Sequence, residues 1–263
     1  MLKEQFIDIT KQIKGYFINA GMDSVDYDEK VNNLSILFPE ENDSKINVTL
    51  ETNLGEKITV EEELQNSIAF NLIKVLYVDD KLVATKPIII FPKLNIGEDK
   101  EFIFVHEFIH YLSYFYTENE KFILFGAGID LCKIDKSTEE MRDNENLILL
   151  NESITNMLTF DICKKYNFPL HTETVKKCKL NKMSAYLHLL LKSKNLTYSS
   201  LLQNVLLNNK KEILSMFLEN KKDEKNFYKN LKLISKDFTD DALTSKLKDL
   251  EKVDKKASKY IQG

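Results

Sequence analysis

Apolar residues at Leu2, Phe6, Ile9, Ile13 and Phe17 recur at three- and four-residue steps and end before Gly21, which predicts an amphipathic helix with a glycine past its end. The period then falls to two. Ile46, Val48 and Leu50 alternate with polar residues, Asn53 to Gly55 offers a turn and Ile58 to Val60 resumes, which predicts a hairpin. From Thr59 the spacing lengthens again: Thr59 and Glu62 stand at capping-box spacing, and Leu64, Ile68, Leu72, Val75 and Leu76 follow a helical period to about Val78. A supporting helix is expected there. Asp79 and Asp80 mark a turn, after which Leu82 to Ala84 and Ile88 to Phe91 read as short strands. Pro87 and Pro92 bracket the second, which suits an edge strand where an extended peptide adds by main-chain pairing, with an inner strand that takes no ligand as the alternative.

Asn95 to Lys100 has the look of a helix start, with Glu98, Asp99 and Glu101 at the positive end of the helix dipole. In the helix that follows, Phe102, Ile103, Phe104, Val105, Phe108, Ile109, Leu112 and Phe115 cover nearly every side, so burial all round is expected. Phe122 to Leu131 carries too much glycine for a helix and reads as a strand or extended loop, and Ser137 to Asn146 is polar and loop-like. Leu147 to Lys165 resumes a helical period, with Asn167 as its stop and Pro169 beyond. From about Thr172 the pattern is helical over Met183 to Leu191, Leu201 to Leu207, Ile213 to Leu218, Phe227 to Ile234 and Ala242 to Leu250. The charged stretch Lys246 to Lys259 reads as a solvated helix or frayed tail. The expected architecture is α+β: an N-terminal helix over 1–31, a domain over 32–180 with a small mixed sheet on the Phe102 helix, and a helical region over 181–263 that walls a cleft.

Composition narrows this picture. With 263 residues and 43% hydrophobic content the chain can bury a full core, no apolar run approaches a membrane span, and the N-terminus has charges where a secretory segment would be apolar. A cytoplasmic protein without a membrane partner is expected. Cys132, Cys163 and Cys178 are odd in number and not at metal-ligand spacing, so they are expected as reduced thiols. The net charge of −4 is spread along the chain with acids beside the lysines, which gives no basic stripe for nucleic acid. Arg142 is the only arginine, so a substrate clamp built on guanidinium groups is not expected.

The chemistry concentrates on the apolar helix. His106 and His110 are four apart, hence stacked on one face, and both imidazoles can reach one metal ion with Glu107 beside it to act on a bound water. Such a site needs a third protein ligand and an open position for water. Glu152 is the candidate: it lies on the second apolar helix among Leu149, Leu150, Ile154 and Leu158, where an unpaired acid would be costly. Glu145 and the pair Glu139 and Glu140 compete with it from more polar surroundings.

His106 to His110 together with Asn151 to Thr155 resembles the gluzincin, thermolysin-like metallopeptidases, with the Gly126 to Leu131 strand as a plausible counterpart between them. The resemblance implies a zincin-like catalytic domain holding Zn2+ on His106, His110 and Glu152, and hydrolysis of a peptide or protein substrate with Glu107 as general base. In that group an aspartate commonly follows the glutamate by four residues and orients a zinc histidine; Asn156 stands there, uncharged but able to accept the same hydrogen bond, and Asp161 is a substitute only where the geometry permits. Tyr186, then His188 and His171, are candidates for the oxyanion donor, with an ordinary packed or solvated role as the alternative for each. Two other functions fit the same residues: a metal-bound module that holds peptides without turnover, and a zincin-type effector that cleaves one protein.

Overall fold

The computed structural model describes residues 2–40, 43–64, 69–79, 81–92, 99–138, 141–142, 145–170, 179–218 and 221–235. The opening periodicity forms α1 (Leu2–Asn19), which buries Phe6, Ile9, Ile13 and Phe17, and the chain reverses at Gly21 with φ +95°. A short α2 (Ser24–Asn32) follows, capped by the Asp23 carboxylate, which accepts from the main-chain N–H of Val25 and Asp26. Buried Tyr27 ties it to α1 by donating to the Thr10 carbonyl at 2.6 Å.

The sheets are small. β1 (Ile36–Leu37) runs parallel to β7 (Ile88–Ile90), which pairs on its other side, antiparallel, with β4 (Phe70–Leu72). β2 (Lys45–Glu51) and β3 (Lys57–Glu63) form the expected hairpin, turning at Gly55 with φ +89°. β5 (Val75–Val78) and β6 (Lys81–Ala84) form another, turning after Asp79. An antiparallel sheet of order β11-β10-β9-β8 is built from β8 (Tyr114–Glu118), β9 (Phe122–Ala127), β10 (Asp130–Asp135) and β11 (Met141–Arg142).

Two expectations are corrected here. The helix expected from Thr59 to Val78 is strands β3, β4 and β5, with 65–68 outside the described residues. Phe70, Ile73, Val75, Tyr77 and Val78 are β-branched or aromatic and favour a pleated surface, which outweighs a spacing that also fits a helix. Thr59 faces Thr49 across the hairpin at 3.0 Å, and Glu62 pairs with Lys74 at 2.6 Å, so neither residue caps a helix. The second correction concerns Ile88 to Phe91, which is the central strand of its sheet and has no free edge. Its prolines lie outside the paired residues, so neither removes a ladder bond, and all three isoleucines are buried.

The histidine-bearing helix α3 spans Lys100–Leu112 and ends earlier than its apolar run, since Phe115 belongs to β8. Ser113 closes it by donating to the carbonyls of Ile109 and His110. The Lys30 ammonium from α2 also donates to the terminal Leu112 carbonyl. α4 (Glu145–Tyr166) takes in the end of the segment read as loop and stops at Asn167 with φ +56°. The C-terminal helices are α5 (Lys179–Ser193), α6 (Tyr198–Leu206), α7 (Lys210–Phe217) and α8 (Glu224–Ser235); Ala242 to Leu250, Lys246 to Lys259 and Cys178 lie outside the described residues.

One apolar core runs through α1, α3, α4 and α5 to α8. Phe6 of α1 stacks on Phe104 of α3 at 4.4 Å and on Phe91 at 5.0 Å, and Phe104 continues to Phe108 at 5.5 Å. Phe102 of α3 meets Phe160 of α4 edge-on at 4.9 Å. These contacts hold α3 against α1 and α4, leaving little freedom for the residues at their crossing. The fold is a mixture of helices and small sheets, compatible with the α+β class. No helix among the described residues is long and apolar enough to cross a membrane.

Candidate metal centre

Four residues apart on α3, His106 and His110 turn their Nε2 atoms toward one another at 3.3 Å. Glu152 projects from α4 between them. Its Oε2 lies 3.1 Å from His106 Nε2, and its Oε1 lies 3.1 Å from His110 Nε2. The helix carrying it is anchored by Leu150, Ile154 and Leu158, all fully buried, so its position is set by core packing. The side chains of His106 and His110 are 13% and 10% exposed, whereas that of Glu152 is 35% exposed. The group is therefore walled by protein with one open side.

The donor set suits a divalent cation. Bonds of about 2.0–2.1 Å in a tetrahedral zinc site place ligand atoms about 3.3–3.4 Å apart, close to the separations found here. Two imidazoles and one carboxylate would leave one position of a four-coordinate ion for water. The same chemistry is compatible with other divalent ions that accept nitrogen and oxygen ligands. Charge points the same way. Burial alone would push the His110 imidazolium down, but the Glu152 carboxylate, helped by Glu107 and Asp130, raises its pKa to about 9. Burial would likewise raise the Glu152 carboxyl, yet the charge of His110 and hydrogen bonds from both imidazoles hold it well below the ordinary value. The cluster favours a positive charge at its centre, which a proton on His110 supplies in the metal-free chain and a metal ion would supply more strongly.

Glu107, next to His106, is gripped by a residue the sequence did not single out. Asn71 of β4 donates from Nδ2 to the Glu107 main-chain carbonyl at 3.0 Å and to its carboxylate Oε2 at 2.7 Å. The erroneous helix over that segment concealed it. As a strand, the segment alternates sides, and Asn71 faces away from Leu72, which packs with Val48, Leu50, Ile88 and Ile90.

Asn151 is the second support. Its Oδ1 accepts from the Ile129 N–H at 3.2 Å, and its Nδ2 is 3.4 Å from His110 Nδ1. The two-residue turn between β9 and β10 makes room for it: Gly128 has φ +61°, and a Cβ there would come within 2.3 Å of Asn151 Oδ1. The Gly126 to Leu131 segment thus lies beside the centre, joined to α4 through Asn151.

The other expected site residues have different surroundings. Asn156 is buried and donates to Ser184 Oγ at 3.1 Å, and Ser184 in turn donates to the Ser153 carbonyl, linking α4 to α5. Asp161 accepts from Tyr16 at 2.5 Å. Tyr186 is buried near Phe227, with Asn230 as a hydrogen-bond partner, and His188 Nδ1 bonds the Tyr198 hydroxyl. His171 and the Glu139 and Glu140 pair lie outside the described residues. The residues brought together are therefore His106, His110 and Glu152, with Glu107 beside them. Comparison of the chain with protein-family models, curated proteins and solved structures finds no match.

Proposed function

We propose that this protein is a zinc-dependent peptidase. The observation that carries the reading is the convergence of His106 Nε2, His110 Nε2 and the Glu152 carboxylate at 3.1 to 3.3 Å, with the Glu107 carboxylate on the adjoining position of the same helix. A divalent cation held by those three side chains supplies an acidified water and a polarised carbonyl. The chain's own residues do the rest. Glu107 accepts a proton as the water oxygen bonds to the carbonyl carbon, then delivers it to the amine nitrogen as the C–N bond breaks. The products are a carboxylic acid and an amine.

A peptide is the substrate best supported by the surroundings. β4 forms the outer edge of the β1-β7-β4 sheet among the described residues, and Asn71 on that strand touches Glu107. An extended chain pairing with this edge passes beside the general base. Retention of Glu107 favours turnover over passive peptide binding, because a binding-only site has no use for a base there.

The test uses the zinc-loaded full chain and a peptide library made from a digested proteome, with new termini read by mass spectrometry. The parent protein generates new termini, and Glu107→Gln keeps its zinc while cleaving about 10²- to 10⁴-fold more slowly. Zinc bound without cleavage by the parent would support the non-catalytic module instead. Equal cleavage by parent and variant would overturn the assigned role of Glu107.

A further inference from the structure

Asn71 makes a two-point grip on a single residue. One Nδ2 group reaches both the main-chain carbonyl and the carboxylate of Glu107, at 3.0 and 2.7 Å, and so ties the end of a side chain with three rotatable bonds back to its own backbone. Both partners are acceptors. Turning the amide over would set Oδ1 against two oxygens, so the orientation is dictated by Glu107 itself. In this orientation Oδ1 is buried without a hydrogen-bond partner among the described residues. A buried amide that leaves its acceptor unpaired while both its contacts go to one glutamate is poorly explained by stability alone.

Its mounting is rigid. Asn71 is the middle residue of β4, opposite Ile89 of the fully buried β7, so its Cα is fixed by the ladder on one side and by the packing of Leu72 beneath. Glu107 is fixed at its own Cα by α3, whose neighbours Val105 and Phe108 are fully buried. Only the Glu107 side chain remains free to turn, and the Asn71 bond is what restrains it.

We infer that Asn71 is the positioning residue of the general base: its donated hydrogen bond holds the Glu107 carboxylate in the orientation that takes the water proton. The inference rests on the peptidase reading above. Asn71 touches neither metal nor reacting atoms in this assignment and acts through Glu107. Alanine removes the donor without adding charge, and aspartate removes the N–H at constant size while adding a second carboxylate, so the position of Glu107 in the two variants separates a lost tether from a loss of shape.

The experiment compares the full chain with Asn71→Asp and Asn71→Ala by zinc content, by initial cleavage rates on the same peptide library, and by crystal structures of the zinc-loaded proteins. Both variants are expected to hold one equivalent of zinc and to cleave about 10- to 100-fold more slowly, the range for losing a hydrogen bond to a charged group. Aspartate is expected to rescue nothing relative to alanine. In the crystals the Glu107 carboxylate should leave its position while His106, His110 and Glu152 keep theirs. An Asn71→Asp protein that cleaves within about twofold of the parent would overturn the inference. So would Glu107 unmoved in the crystals of both variants. Failure of the parent to cleave at all would count against the peptidase reading, and the position of Glu107 in the variants would still decide the role of Asn71. If alanine prevents folding, the isosteric aspartate variant carries both readouts.

Discussion

The metal-free chain should lose stability as the solution becomes alkaline. His110 has an ordinary pKa of 6.5 and is raised to about 9 in the folded chain, with Glu152 overcoming the effect of burial. A group raised on folding stabilises the native state fully below its unfolded pKa and loses that contribution as pH climbs through the folded value. The window is therefore from about pH 6.5 to about pH 9. At roughly 1.4 kcal/mol per pH unit the full shift amounts to about 3 kcal/mol, and the solvent reaching Glu152 lowers this to about 1–3 kcal/mol. The lowered pKa of Glu152 describes the same interaction and is counted once. Urea unfolding in the presence of a chelator, at steps between about pH 6 and pH 9.5, measures the decline. Glu152→Gln should flatten it by removing the partner that raises His110. Stability that is constant or rises across the window would show that the His110–Glu152 pair does not carry this charge. Zinc affinity should move in the opposite direction over the same range, since binding displaces the proton.

Two further substitutions separate the scaffold from the site. Phe6→Ala removes the ring stacked on Phe104 and Phe91 and should destabilise the chain by about 3–5 kcal/mol, read by denaturant unfolding. The fraction still folded should bind zinc with unchanged stoichiometry. Gly128→Ala forces a left-handed backbone on a residue with a Cβ and drives that carbon into Asn151 Oδ1. It should cost about 1–3 kcal/mol and weaken zinc binding, measured by competition with a chromogenic chelator, because pushing on Asn151 shifts the turn of α4 that carries Glu152.

The helices were legible because their patterns were long. The five apolar positions of α1 and the continuous run of α3 each exceed three turns, and the fully buried core residues of α4 repeat the same period. The short strands were not. β4 has three residues and β5 four, too few to express an alternation, and Leu72, Val75 and Leu76 happen to satisfy a helical spacing as well. That ambiguity hid Asn71. The placement of β7 at the centre of its sheet was equally hidden, because pairing partners are set by contacts far apart in sequence, Ile36 with Ile89 and Phe70 with Ile90. The histidine–glutamate group was readable for a chemical reason: polar residues among buried apolar neighbours need a partner, and His106, His110 and Glu152 are one another's. Asn71 carries no such signal, whereas Asn151 is marked only by its place at the head of the Asn151 to Thr155 segment.

In the proposed function two histidines of α3 and one glutamate of α4 hold a single zinc ion. Zinc K-edge X-ray absorption of the chain loaded with one equivalent of zinc tests this directly. Two imidazole nitrogens and oxygen ligands are expected at about 2.0–2.2 Å, with the imidazole signature diminished in His106→Ala and in His110→Ala. Sulfur ligands at about 2.3 Å, or a spectrum unaltered by those two substitutions, would contradict it.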